Sequence, residues 1–365
     1  MNLKNNKLVL KGLTEIELEN YFKEIGEPKF RAKQVFNWVY NHLITDFDEM
    51  NNLPKELRAK LKETSTLLSL DIHKIYKSTE NNTTKIVFVT FDNKFIEAVI
   101  ISDNDRNTLC ISTQVGCPLD CKFCATGVMG YKRNLSSAEI IDQYLIAAKE
   151  FGKNNITNIV YMGMGEPLLN YDNTLKSLNI LTNELNLGVS RNRITVSTAG
   201  IPSRIIDLAN CGPRVKLALS LHSSFNNIRS KIMPINDKYP LEQVLEALKY
   251  YTTKVKSRIT FEYTLLKGIN DRNEDIKRIA NICSNIPSKI NIIPFNSIKH
   301  IEPTGISAEL EPTSKEDMYL FADKLRNKNI TVMIRETQGD DIAAACGQLA
   351  AKEIKNQELL NNLSN

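Results

Sequence analysis

Three cysteines on one short loop constrain this chain more than any other feature. Cys117, Cys121 and Cys124 stand in the run GCPLDCKFCATG with the spacing Cys-x3-Cys-x2-Cys. A closed four-iron cluster takes four thiolates, so three leave one iron open to bind something else. Structural zinc wants four ligands, usually as two close pairs. Cys110, Cys211, Cys283 and Cys346 are scattered and the four histidines are not spaced as ligand pairs. An open iron–sulfur site explains the spacing better than zinc or incidental core packing.

The motif, with Phe123 before its third cysteine, resembles that of the radical S-adenosylmethionine (SAM) superfamily. The resemblance implies one 4Fe–4S cluster whose open iron chelates the amino and carboxylate groups of SAM. It also implies release of a 5′-deoxyadenosyl radical and an external electron donor, flavodoxin-like or ferredoxin-like.

A length of 365 residues suggests one big domain plus a smaller one. No apolar run approaches a membrane span and the N-terminus MNLKNNKLVLKG lacks a signal-peptide core, so no membrane partner is expected. Seven cysteines, odd in number and including a cluster motif, argue against a disulfide scaffold and for a cytoplasmic protein. A net charge of +5 permits a nucleic-acid partner without demanding one.

Hydrophobic periodicity makes residues 1–75 a helical unit. Thr14 caps a helix carrying Leu18, Tyr21 and Phe22, a second runs from Phe30 to Leu43, and a third follows Pro54. Its basic run Lys29–Lys33 is either a solvated face or a surface for RNA. Residues 76–107 form a hairpin or linker, with strands Lys85–Phe91 and Phe95–Ile101 around Asp92-Asn93-Lys94. From 108 to 350 strands and helices alternate, the pattern of a parallel α/β sheet. Two helices open on expected capping boxes, Ser136–Glu139 and Thr313–Glu316. Six such units make the partial (β/α)6 barrel that radical SAM enzymes share, leaving a tail at 351–365.

In such a barrel, ligands sit at the C-terminal ends of strands. The turn Met162-Gly163-Met164-Gly165-Glu166 follows the second strand, and Gly165 allows a close backbone approach while Glu166 offers a carboxylate to an ammonium group. It matches the radical SAM segment that binds the SAM amino group. Ser197, the run Ser220-Leu221-His222, and Asn296 recur at later strand ends as contacts for SAM or substrate. Cys346 lies in the small-residue segment GDDIAAACGQL, where the alternatives are a buried hydrophobe and a thiol beside a ligand. Glu97, in the strand FIEAV, reads from the residues alone as facing solvent.

The chain as a whole resembles the radical SAM methyltransferases that modify carbon 2 of adenosine in 23S ribosomal RNA and in tRNA. The matching segments are FRAKQVFNWVY, TLCISTQVGCPLDCKFCATG, YKRNLS, MGMGEPLLN, STAG, LSLH, RSKIMPIN, IPFN and GDDIAAACGQL, from residue 30 to about 350. Ala343 and Glu336-Thr337-Gln338 depart from the usual pattern. The resemblance implies an RNA-binding N-terminal domain and two SAM molecules per turnover. It makes Cys346 the carrier of the methyl group, Cys110 its partner in a transient disulfide, and Glu97 a proton acceptor. A sister family methylates carbon 8 of the same rRNA adenosine. Peptide-modifying radical SAM enzymes and a non-catalytic cluster-bearing RNA-binding protein are the alternatives of other classes. The target base must leave its stack, and Lys132, Arg133, Arg191, Arg193, Arg229 and Lys231 are candidates to track phosphates.

Overall fold

In the computed structural model, which describes residues 3–4, 7–184 and 187–350, one ten-stranded sheet dominates. Its strands run in chain order as β1 (Leu70–Lys77), β2 (Thr83–Thr90), β3 (Phe95–Asp103), β4 (Arg106–Cys110) and β5 (Asn158–Tyr161). They continue as β6 (Ile194–Thr198), β7 (Lys216–Ser220), β8 (Ile259–Leu265), β9 (Ser288–Pro294) and β10 (Val332–Ile334). Each strand pairs with its sequence neighbours. β1 to β4 form an antiparallel meander and β4 to β10 are parallel. The six intervals between parallel strands each carry a helix of ten residues or more, so the six expected βα units are present and β10 follows the last of them. Every residue of β8 is buried, as a parallel strand covered on both faces requires. The first and last strands do not pair, which leaves the barrel partial.

Local chemistry explains the boundaries. Ser136 and Thr14 each make a full capping box, with Glu139 and Glu17. The cap near residue 314 lies one position later than expected: Ser314, not Thr313, accepts the N–H of Asp317. The helix expected to end at Leu43 stops at Tyr40. The expected hairpin is present, and Asn93 takes the left-handed conformation (φ 56°) in its turn.

The N-terminal unit is not wholly helical. Helices α1 (Glu15–Glu24), α2 (Lys29–Tyr40) and α3 (Lys55–Thr64) accompany a small sheet of Leu3–Lys4, Lys7–Val9 and Ser65–Thr66. Strand pairs of two or three residues carry too little periodicity to be legible in a sequence. The expected boundaries at 75 and 107 both fall inside strands, β1 and β4, and the tail at 351–365 lies outside the described residues.

The N-terminal unit docks on the helix Ser137–Phe151 through a buried ion pair, Lys11 with Asp142 at 2.5 Å. The other oxygen of Asp142 accepts the N–H groups of Ser69 and Leu70 and the Ser69 hydroxyl. A buried charge costs heavily unless paired and fully hydrogen-bonded, and this carboxylate has both. At the hairpin tip, Arg133 binds Asp92 through Nε and Nη2 at 2.9 and 2.6 Å and also reaches Glu139.

That guanidinium holds the Asp92 carboxyl down at about 2. Its contribution to stability is therefore present above about pH 4 and lost as pH falls through 2. With a third of the side chain exposed, Asp92→Asn is expected to cost about 1 kcal/mol at pH 7 after solvent screening. The cost should shrink toward pH 2, as urea unfolding will measure.

Candidate active site

The three motif cysteines lie beyond the C-terminal end of β4. The strand Gln114–Gly116 turns the chain back and pairs with Tyr131–Asn134, so residues 117–130 form one closed excursion. A Cβ at Gly116 would stand 1.9 Å from the Gly130 carbonyl oxygen, which makes glycine obligatory there. Cys117 is buried, and Cys121 and Cys124 are half-buried. Burial raises all three thiols, Cys117 to about 12; Cys117 and Cys121 are raised further by motif neighbours, and Cys124 by Cys346. The three sulfurs thus share one apolar recess.

Next to this loop, residues 163–166 are stitched to the segment after β4. The Ser112 hydroxyl donates to the Glu97 carbonyl and accepts Met164 N–H, and Gln114 Oε1 accepts Glu166 N–H. A Cβ at Gly165 (φ 97°) would meet Gln114 Cβ at 2.5 Å. The Glu166 carboxylate is buried and accepts N–H groups from Ala199 and Leu168 at 2.7 and 3.0 Å. Desolvation raises its pKa against those bonds.

Ser197 and Ser220 are half-buried in the last turns of β6 and β7, while Leu221 and His222 are buried. His222 (φ 47°) accepts Thr264 N–H on Nδ1 at 3.0 Å, so the ring is neutral with its proton on Nε2. Burial lowers its pKa to about 3, and its ring packs 4.5 Å from that of Phe123, the aromatic residue of the cysteine motif. Asn296 is turned toward the last segment: its amide donates to the Cys346 carbonyl and its oxygen accepts from Thr337.

That segment, residues 337–350, crosses all of these elements. Ala125 N–H donates to the Gly347 carbonyl at 2.7 Å, and the Thr126 hydroxyl to that of Leu349. A Cβ at Gly347 (φ 83°) would stand 3.1 Å from the Phe123 carbonyl oxygen. Cys346 is exposed and Cys110 is buried, yet the two thiols are close enough to interact. Burial pushes Cys110 up to about 12, and the Cys346 sulfur adds to that shift and to that of Cys124. Arg335 lies 3.6 Å from Glu262, and that carboxylate, with the Cys346 sulfur nearby, favours its charged form.

Glu97 is fully buried, which corrects the solvent-facing reading. It forms an ion pair with Lys85 at 3.1 Å, and its Oε2 accepts Ala350 N–H. Alternation along β2 and β3 sets Lys85 and Glu97 on one face, a signal available in the sequence only once that face is known to be covered. Among the proposed phosphate contacts, Arg229 is fully buried and Arg133 is held by Asp92 and Glu139. Lys132, Arg191, Arg193 and Lys231 are exposed. On α2, Lys29 and Lys33 are exposed and pair with Glu19 and Glu15 of α1 at 3.5 and 3.6 Å.

Residues 8–67 match the family described as the ribosomal RNA large subunit methyltransferase N-terminal domain, and residues 111–281 match the radical SAM superfamily. A probable dual-specificity RNA methyltransferase RlmN of Dictyoglomus turgidum is 43% identical over 344 residues, 93% of this chain and 96% of its own length. The chain belongs to the RlmN family of RNA methyltransferases. Its relative in Thermotoga maritima is 44% identical, covering 95% of this chain and all of that one. A solved radical SAM methyltransferase from Sphaerobacter thermophilus superimposes with a TM-score of 0.88 at 38% identity, covering 94% of this chain and 99% of that one.

Radical SAM membership brings a 4Fe–4S cluster and SAM as cofactors. Three sulfurs in one recess, with no fourth protein ligand required, suit an open cluster. Among the described residues no three His, Cys, Asp or Glu side chains converge on a single ion. A cube does not need them to, because each thiolate binds its own iron. No helix among the described residues is long and apolar enough to cross a membrane.

The neutrality of His222 has a consequence in acid. An unfolded chain protonates this histidine from about pH 6.5 downward, the folded one only near pH 3. Stability from this group is full above about 6.5 and declines as pH falls toward 3. His222→Asn, which keeps an acceptor for Thr264 N–H, should flatten that dependence in denaturant midpoints between pH 7 and 4. An unchanged slope would contradict the assignment.

Proposed function

We propose that this enzyme methylates carbon 2 of an adenosine in the peptidyl-transferase region of 23S rRNA and of the adenosine 3′ of the anticodon in tRNA. The observation that carries the reading is the approach of Cys346 both to Cys110 and to Cys124 of the cluster motif. Peptide-modifying radical SAM chemistry has no use for two further thiols at that place. Carbon 2 of adenine is electrophilic, so a methyl cation donor cannot alkylate it directly, and a carrier thiol solves that problem.

Cys117, Cys121 and Cys124 hold the cluster, and Gly165, Glu166, Ser197, Ser220, Leu221, His222 and Asn296 line the place for SAM. Cluster and SAM together, when bound, supply a 5′-deoxyadenosyl radical, given an electron from a flavodoxin-like or ferredoxin-like donor. Cys346 accepts a methyl group from one SAM by displacement: its S–C bond forms as the S–CH3 bond of SAM breaks. The S-methyl group yields a hydrogen atom to the radical, and its carbon adds to carbon 2 and joins protein to RNA. The adduct gives up one electron to the external redox partner as Glu97 accepts the proton of carbon 2. Cys110, as a thiolate, attacks the Cys346 sulfur; an S–S bond forms as the S–C bond breaks, and the released carbon takes up the proton that Cys110 shed, leaving a methyl group on the base. A cytoplasmic setting, where thiols are kept reduced, suits a disulfide that must be opened before each new turnover. The N-terminal unit with the exposed Lys132, Arg191, Arg193 and Lys231 is the surface offered to RNA.

Nucleoside mass spectrometry of rRNA and tRNA, with and without the gene, tests the product. 2-Methyladenosine should vanish from both, whereas loss of 8-methyladenosine would assign the carbon-8 activity instead. Replacing Cys117, Cys121 or Cys124 with alanine should abolish cluster absorbance and SAM cleavage. Active protein holding zinc and no iron would refute the cluster assignment.

Cys110→Ala separates a structural thiol from a resolving one. As mere packing its loss would cost about 1 kcal/mol of stability and leave turnover intact. As a resolving thiol its loss should leave an RNA–protein adduct that survives denaturing electrophoresis and maps to Cys346. The adduct should be absent from Cys110→Ala/Cys346→Ala. Normal multiple turnover by Cys110→Ala would overturn the role.

A further inference from the structure

Arg229 lies on the helix Asn226–Ile232 and heads the largest fully buried side chains among the described residues. Its Nε donates to the Leu221 carbonyl at 3.2 Å and its Nη1 to Asn236 Oδ1 at 3.0 Å. Nη2 donates to the carbonyls of Ala199 and Ser220 at 2.6 and 3.1 Å. Every one of these partners is neutral, and no carboxylate of the described residues lies within ion-pair distance of it. Buried charges are ordinarily paired, and the other two buried cations among the described residues follow that rule: Lys11 with Asp142 and Lys85 with Glu97. Arg229 is the exception.

Its helix is built against the cysteine loop. Lys122 N–H donates to the Ile232 carbonyl at 2.9 Å, and Ile232 and Met233 pack in one apolar cluster with Cys117, Leu119 and Ala125. Nη2 reaches the same place from the barrel side, because Ala199, whose carbonyl it binds at 2.6 Å, belongs to the apolar cluster that holds Cys117 and has Cys121 packed against it. Behind apolar side chains the charge is not screened by solvent ions. With four of its five N–H bonds spent on fixed acceptors, the guanidinium cannot swing toward a substrate or a phosphate, so its charge is stationary.

We infer that Arg229 is the buried counter-charge of the three-thiolate cluster and sets its reduction potential. Three thiolates bring three negative charges into this recess, and reduction adds one electron more. A fixed cation in a low-dielectric site stabilises the more negative state, which raises the potential and eases electron delivery. A guanidinium suits the task because its rigid fork spends its donors on fixed neutral acceptors, among them carbonyls at two strand ends, while the charge stays delocalised behind the cysteine loop. The inference rests on the cluster assignment made above.

The test uses the full chain, loaded with iron and sulfide under anaerobic conditions, and a redox titration followed by electron paramagnetic resonance. Arg229→Met removes the charge. At a fixed ambient potential its reduced-to-oxidised ratio is expected to fall about tenfold, a shift of about 59 mV to lower potential for a one-electron couple. Arg229→Lys, which keeps charge but not the fork, should move less than half as far although it loses comparable thermal stability. Asn236→Asp retains the contact to Nη1 and sets a carboxylate against the guanidinium. It should lower the potential in the same sense, and it remains informative if Arg229→Met fails to fold. Full cluster content with an unmoved potential in Asn236→Asp and in whichever Arg229 variant folds would reduce Arg229 to a staple for carbonyls and overturn the inference. Wild-type protein that takes up no iron would remove the cluster assignment itself, a distinct failure that takes this inference with it.

Discussion

The hydrogen bond from Ala125 N–H to the Gly347 carbonyl joins the two parts of the chain on which the rest of the site depends. Apart from the single helical turn Ala125–Val128, whose first N–H groups have no partner within the turn, neither part is regular structure, so the backbone groups of each need partners from elsewhere. The cysteine loop finds them in Gly347, Leu349 and Ile232. The last segment finds them across the whole rim. Asp341 accepts from Ser78 and Thr79, Lys85 reaches the Ala343 carbonyl, Glu97 accepts from Ala350, and Gln348 bridges Ser297 and Asp340. A bond of this kind contributes about 1 kcal/mol net. No single one holds the segment; together they bring Cys346 to Cys110 and Cys124.

These ties differ in depth: Glu97, Gln348 and Ala350 are buried, whereas Asp341 and Thr79 lie at the surface. Cys346 itself is exposed. The buried side of the site is tied by side-chain amides. Asn170 donates to the Thr113 and Leu135 carbonyls, and Gln143 exchanges hydrogen bonds with the backbone of Ser112. These amides fix the path of the chain into and out of the cysteine loop, and none of them has polar surface left to move toward water.

Much of this was legible in the residues. The three-cysteine spacing, the strand–helix alternation, the capping box at Ser136 and the glycine turn at 165 each express a local rule, and each is found where it was expected. The errors share a cause. Glu97 was read as exposed because a strand pattern says which residues share a face but not what covers that face. Arg229 was read as a phosphate contact because a helix of seven residues gives no sign of which side is sealed. The cap at Ser314 and the small N-terminal sheet fall below the resolution of periodicity.

The sequence by itself determined the kind of chemistry, because ligand number and spacing on one loop, and glycine where a Cβ cannot fit, are properties of short segments. Only the tertiary structure decided the partners. Cys124 and Cys346, Lys85 and Glu97, Lys11 and Asp142, and Arg229 and the cysteine recess are each joined by folding rather than by adjacency along the chain. Their energetics come from burial, which turns a surface charge into one that must be paired and a scattered thiol into a neighbour. Burial is a property of the assembled core, and no local pattern encodes it.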